Sequence, residues 1–235
     1  QEEVAVVTTA DGERRELGEW HPRPIQAPRK SADGEYILYW CETPTRGWYV
    51  APLDGGPAVH VMDGDPSDAR IVGDHLVHSW SQGLHAAPLS GGEPPIVLSP
   101  KPTIFAGDDN GRVYFPVDQV LVSTDLTTAE QTVLATLGSI HELLFLPTRG
   151  LLVAVVSGVP SALVGIDVQT NEQTVLAELG AWFMAVTHTA DGAHVIATLS
   201  ISATAVPHPE AVVTTPTDPP TGESVDLGPT GFLLA

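Results

Sequence analysis

His141 and Glu142 stand side by side in "SIHELLF", an imidazole next to a carboxylate at the start of an apolar run. Such a pair suits proton transfer, and with a second imidazole it would suit a divalent ion such as zinc, which takes His nitrogen and carboxylate oxygen. His21 in "GEWHPR" is the candidate for that second imidazole. Asp65 in "DGDPSD", Trp182 in "LGAWFMAV" and His208 in "SISATAVPHPEA" are further positions at which a ligand could be held. No linear motif ties them together: the chain has no G-x-S-x-G elbow, no H-E-x-x-H pair and no Walker loop. "DGDPSD" alternates acids as a calcium loop does but lacks its distal glutamate, so it reads as turn chemistry. Cys41 ends an apolar strand with no sign of thiolate activation. No cofactor is expected, and a divalent metal only if His21, His141 and Glu142 converge.

Charge narrows the partners. With 29 acidic residues against ten Lys and Arg, the net charge is −19, and nothing could neutralise a row of nucleic-acid phosphates. A single cysteine excludes an intrachain disulfide and a multi-cysteine zinc site. No run approaches the ~18 apolar residues of a membrane span, so no membrane insertion is expected. The chain opens on Gln1 without an initiator Met, which fits an exported protein, periplasmic or secreted. At 235 residues and 43% hydrophobic composition it is long enough for one globular domain, expected as a monomer.

The elements that must position these residues are short strands. "EQTVLATLG" at 130–138 and "EQTVLAELG" at 172–180 differ at one position. Thr128–Gln131 and Thr170–Gln173 fit a helix capping box, and a βαβ chain would follow. The segments in the same register elsewhere, "PAVHVM", "PPIVLS" and "GESVDLG", carry proline and β-branched residues that a helix interior rejects. As a strand, Val133, Ala135 and Leu137 face one way and Thr132, Leu134 and Thr136 the other. Six such hairpins end at Leu17, Met62, Leu98, Leu137, Leu179 and Leu227. Between them lie pairs of strands around glycine turns, such as "TIFAGDDNGRVYF" and "LLFLPTRGLLVAVV". Four antiparallel strands about every 40 residues is the period of a propeller blade.

"KSADGEYILYW" at 30–40 and "THTADGAHVIATL" at 187–199 resemble the S-P-D-G-x-x-I/L-x-Y/F segment of TolB-like propeller repeats, and "WYVAPLDGG" resembles the strand and turn that follow it. Ala32 and Ala190 stand where that family usually has proline, and the α/β domain that precedes the propeller in TolB has no counterpart. The resemblance implies an all-β propeller and a tendency to bind proteins or small molecules; it carries no active site. The expected architecture is one propeller domain, 1–235, with six blade positions of about four antiparallel strands. Blades run over about 20–64, 65–100, 101–138, 139–180 and 181–229, and the termini, 2–18 plus 230–235, close the ring in one blade.

In that arrangement one rim gathers Glu19, Trp20, His21, Arg23, Asp63, Asp65, Asp68, Lys101, His141, Glu142 and Trp182. The links between second and third strands add Glu42, Arg46, Trp80, Gln82, Asp118 and His208. The tryptophans read first as blade packing, and His75, His78, His85, His188 and His194 as structural or exposed. The expected function is a binding or scaffold propeller that presents its channel mouth to a protein, peptide or small molecule. The alternative is a rim-site enzyme, a metal-assisted hydrolase or lyase.

Overall fold

The computed structural model describes residues 5–7, 14–16, 26–31, 34–42, 45–54, 56–63, 69–91, 93–108, 110–158, 160–179, 182–188, 194–200, 211–216 and 225–226. A short antiparallel pair, β1 (Ala5–Val7) and β2 (Arg14–Glu16), comes first. Five four-stranded sheets follow, each antiparallel and in simple chain order. The first is β3 (Gln26–Lys30), β4 (Tyr36–Cys41), β5 (Gly47–Pro52) and β6 (Val59–Met62). The second is β7 (Ala69–Val72), β8 (His75–Trp80), β9 (Gly83–Pro88) and β10 (Ile96–Ser99). The third is β11 (Ala106–Gly107), β12 (Arg112–Val117), β13 (Val120–Asp125) and β14 (Gln131–Thr136). The fourth is β15 (Ile140–Leu146), β16 (Leu151–Val156), β17 (Ser161–Asp167) and β18 (Gln173–Leu179). The fifth is β19 (Trp182–His188), β20 (His194–Ser200), β21 (Ala211–Pro216) and β22 (Val225–Asp226). The only described helical turn is 3-10, at Pro147–Arg149, and no described helix is long and apolar enough to cross a membrane. The closing strand expected at 230–235 lies outside the described residues.

The chain packs as two compact units whose boundary falls within the third sheet. In the first, Leu38, Trp40, Trp48 and Val50 of one sheet bury against Ala69, Leu76 and Ala87 of the next, and Arg29 Nη1 donates to Ala69 O at 3.0 Å. In the second, β16 is buried on both faces: Leu152 and Ala154 join Tyr114, Leu121 and Leu143, while Val153 and Val155 join Leu163, Val186 and Val195. The continuous apolar run "LLVAVV" follows from that, because a strand covered on both sides has no polar face to alternate with.

One turn design explains the duplicated nonapeptide. Asp125 Oδ1 accepts from the N–H groups of Thr127 (2.9 Å) and Thr128 (3.0 Å), and Asp167 Oδ1 from Gln169 and Thr170 (both 2.8 Å). Asp125 N donates to Glu130 O and Asp167 N to Glu172 O, each at 3.0 Å. Ala129 (φ 58°) and Asn171 (φ 61°) take the left-handed step that reverses the chain. The threonine that opened a possible capping box instead accepts from the following glutamate N–H, so the segment leaves as a strand. A second recurrent bond clips the residue after the third strand to the first turn in four of the sheets: Leu53 to Glu35, Leu89 to Asp74, Leu126 to Gly111 and Val168 to Gly150.

The fourth strands depart from strict alternation. One extra residue is inserted at Val61 in β6, Leu98 in β10 and Leu176 in β18. In β14 Leu134 and Ala135 are both buried while Val133 is exposed, where the sequence predicted opposite faces for Leu134 and Ala135; in β18 Val175 is likewise exposed and Leu176 buried. First strands are bulged too, at His141 in β15 and Met184 in β19. In the first two sheets the glycine that opens the third strand makes room for this: a Cβ at Gly47 would strike Met62 O, and one at Gly83 would strike Ser99 O.

Gly83 also holds φ at +126°, so Gly83→Ala combines backbone strain with a collision against backbone, and urea titration should show a loss of about 2–4 kcal/mol. The turn aspartates make an acid-limb prediction. Backbone N–H donors hold the Asp125 and Asp167 carboxyls below the usual carboxylate range. A depressed folded pKa gives stability that is present above the unfolded value, about 3.9, and lost as pH falls through the folded one. The Asp125→Asn/Asp167→Asn double variant, which keeps an acceptor and loses the charge, should therefore lose less stability than wild type on moving from pH 5 to below 4, read as urea midpoints.

Candidate functional site

A cleft of about 500 Å³ lies in the first unit, between the end of β6 and the turn joining β8 to β9. His60, Val61, Met62 and Asp63 form one wall, and Trp80, Gln82 and His85 face them. Pro95 and Val97, leading into and lying on β10, complete the lip. The bulge at Val61 produces the first wall: Tyr49 pairs with His60 and Trp48 with Met62, and the extra residue between them re-aims both neighbours. The bulge after Val97 leaves that side chain 59% exposed, an apolar contact that solvent reaches.

An aromatic column supports the floor. Tyr39 stacks on Tyr49 (centroids 5.6 Å apart), and Tyr49 meets His60 edge-on at 5.0 Å. Burial, with smaller contributions from Cys41 and Tyr49, pushes the Tyr39 hydroxyl up to about 12, so it stays a neutral phenol. Tyr49 Oη donates to Thr45 O at 2.9 Å. Trp48 lies edge-on to His78 at 5.7 Å, and His78 in turn sits 5.8 Å from Trp80. His60 Nε2 approaches Asp63 Oδ1 at 3.4 Å without hydrogen-bond alignment, so the contact is electrostatic and operates when the imidazole is protonated. His85 Nε2 contacts Gln82 O at 3.3 Å, which fixes that ring beside the turn. Apolar walls with a few convergent polar groups are the ordinary makeup of a binding site.

The sequence placed Asp63, Trp80 and Gln82 on one rim, and the cleft brings them together. It missed His60, Met62 and Val97, and read His85 as structural or exposed. The signal was present only as the short final strands "PAVHVM" and "PPIVLS", in which nothing marks the extra residue.

The other expected site lies in the second unit. His141 is the bulged residue of β15, exposed, with its Nε2 hydrogen-bonded to Ser157 Oγ. Glu142 pairs with Val155 and is half-buried. Ser157 is held in turn by its N–H, which donates to Ser139 O at 2.8 Å. Trp182 opens β19 opposite Ser200, with only its backbone described. His21, Asp65 and His208 lie outside the described residues. Among the described residues no three His, Cys, Asp or Glu side chains are gathered as a metal ion requires, and Cys41 is fully buried.

No family model and no curated protein matches the sequence. Solved structures do match the fold. A protein assigned as TolB from Agrobacterium tumefaciens aligns at 20% identity and TM-score 0.57, over 92% of this chain and 85% of that one. An oligogalacturonate lyase, solved in complex with manganese, aligns at 16% and 0.59 over 86% of this chain and 64% of its own. TolB from Acinetobacter baumannii aligns at 15% and 0.54 over 90% and 56%. The chain thus spans less than two-thirds of the latter two. Repeated four-stranded antiparallel sheets, with these structural neighbours, give the chain a TolB-like β-propeller fold.

Proposed function

We propose that the protein is a binding propeller that holds a segment of another protein, acting as an extracytoplasmic monomer, and that the cleft beside Trp80 is its receiving surface. The observation that carries this reading is the cleft itself, apolar along Val61, Met62, Trp80, Pro95 and Val97 and polar at His60, Asp63, Gln82 and His85. Its volume accommodates two or three side chains, the scale of a peptide anchor. The channel mouth around His141 and Glu142, with Trp182, remains a second place for a small molecule. His21, Asp65 and His208 belong to that proposal by sequence.

The likeness to a manganese-bound lyase favours a metal-assisted enzyme as the second reading. The described residues do not fit such an ion, so no step is derived through one. Saturable Mn²⁺ uptake in calorimetry, abolished by His141→Asn/Glu142→Gln, would move the assignment to that reading.

Random-peptide display on the immobilised protein tests the binding reading. Enriched peptides should lose about tenfold or more in affinity for Trp80→Leu and for Val97→Asp, as expected when a buried anchor loses its pocket. Enrichment that is indifferent to both substitutions, or no enrichment, would reject the cleft as the receiving surface.

A further inference from the structure

The first two sheets each carry a tryptophan near the end of the second strand, one register step apart, and surround it differently. In the first, the Arg46 guanidinium carbon lies 5.6 Å from the centroid of the Trp40 ring. That arginine comes from the link that leads from β4 to β5. Trp40, the penultimate residue of β4, thus receives a cation from its own sheet. In the second sheet the corresponding link is reduced to Ser81 and Gln82, with Gly83 already pairing to Trp80. Trp80 opens onto the cleft, and among the described residues no Arg or Lys lies over it. Among the described residues neither Lys nor Arg lines the cleft, whereas the Asp63 carboxylate, 77% exposed, does.

We infer that the cleft takes a cationic side chain of the partner, an arginine before a lysine, with its head between the Trp80 ring and the Asp63 carboxylate. This rests on the binding reading above. Ring faces attract cations, and a guanidinium stacks flat and sheds water more easily than an ammonium. The apolar wall of Met62 and Val97 matches the aliphatic stem such a side chain carries. Charge complementarity extends beyond the cleft, since a chain of net charge −19 attracts basic partners at long range. Anionic ligands are disfavoured by the same carboxylate.

Titration of the ¹⁵N-labelled protein with N-acetyl-arginine methylamide, and with its neutral isostere N-acetyl-citrulline methylamide, tests the inference. The Trp80 indole resonance, identified by its absence in Trp80→Leu, should shift saturably with the arginine probe. Binding should be in the millimolar range and about three- to tenfold tighter than for citrulline. Asp63→Asn should remove that preference, and Trp80→Phe, which keeps a ring, should retain most of it. Equal binding of the two probes, a preference that survives Asp63→Asn, or shifts confined to other tryptophans would overturn it. Display peptides enriched at the cleft without arginine or lysine would also overturn it and leave the binding reading standing. A selective probe response without any peptide enrichment would support the cation pocket while removing the peptide.

Discussion

Three described fourth strands, β6, β10 and β18, carry one residue more than their partners, and that excess organises the first two sheets. The added residue pushes the Met62 and Ser99 carbonyls toward Gly47 and Gly83, where any side chain would obstruct them. A bulge increases local twist and rotates the side chains on either side of it. His60 and Met62 turn into one wall of the cleft for this reason, and Val97 is left at its lip. The cleft is therefore a by-product of strand geometry, and the glycines that permit it do not line it.

Much of the fold is legible in the residues. Glycine turns between alternating apolar segments mark the hairpins, and proline in "PPIVLS" excludes the helix that "TTAEQ" and "QTNEQ" would otherwise suggest. The deciding contact in those two cases is an aspartate two or three residues earlier, whose carboxylate takes the N–H groups that a helix start would have used. Bulges were not legible. Val61, Leu98 and Leu176 are ordinary strand residues, and only the cross-strand pairing shows that each has no partner.

The site was legible in proportion to how local it is. Asp63, Trp80 and Gln82 lie at or just past strand ends, and the repeat alone puts them on one rim. His85 looks like any strand histidine, because its role depends on Gln82 folding back toward it across a two-residue turn. His141 and Glu142 drew attention as neighbours in sequence, yet the bulge at His141 gives that imidazole a serine as its partner.

The duplicated nonapeptide has a consequence for how the chain reaches this state. β14 and β18 begin with the same residues, "QTVLA", so their shared opening does not tell one receiving edge from the other. Within the strands only Thr136 against Glu178, and the longer end of β18, set them apart. Connectivity separates them further: the Asp125 and Asp167 turns close a loop of a few residues, whereas the exchanged pairing must close one longer by the repeat spacing and pays more chain entropy. Short loops also close in tens of nanoseconds, before distant segments meet. The aspartate turns thus favour the neighbouring strand over its copy through the short loop they close.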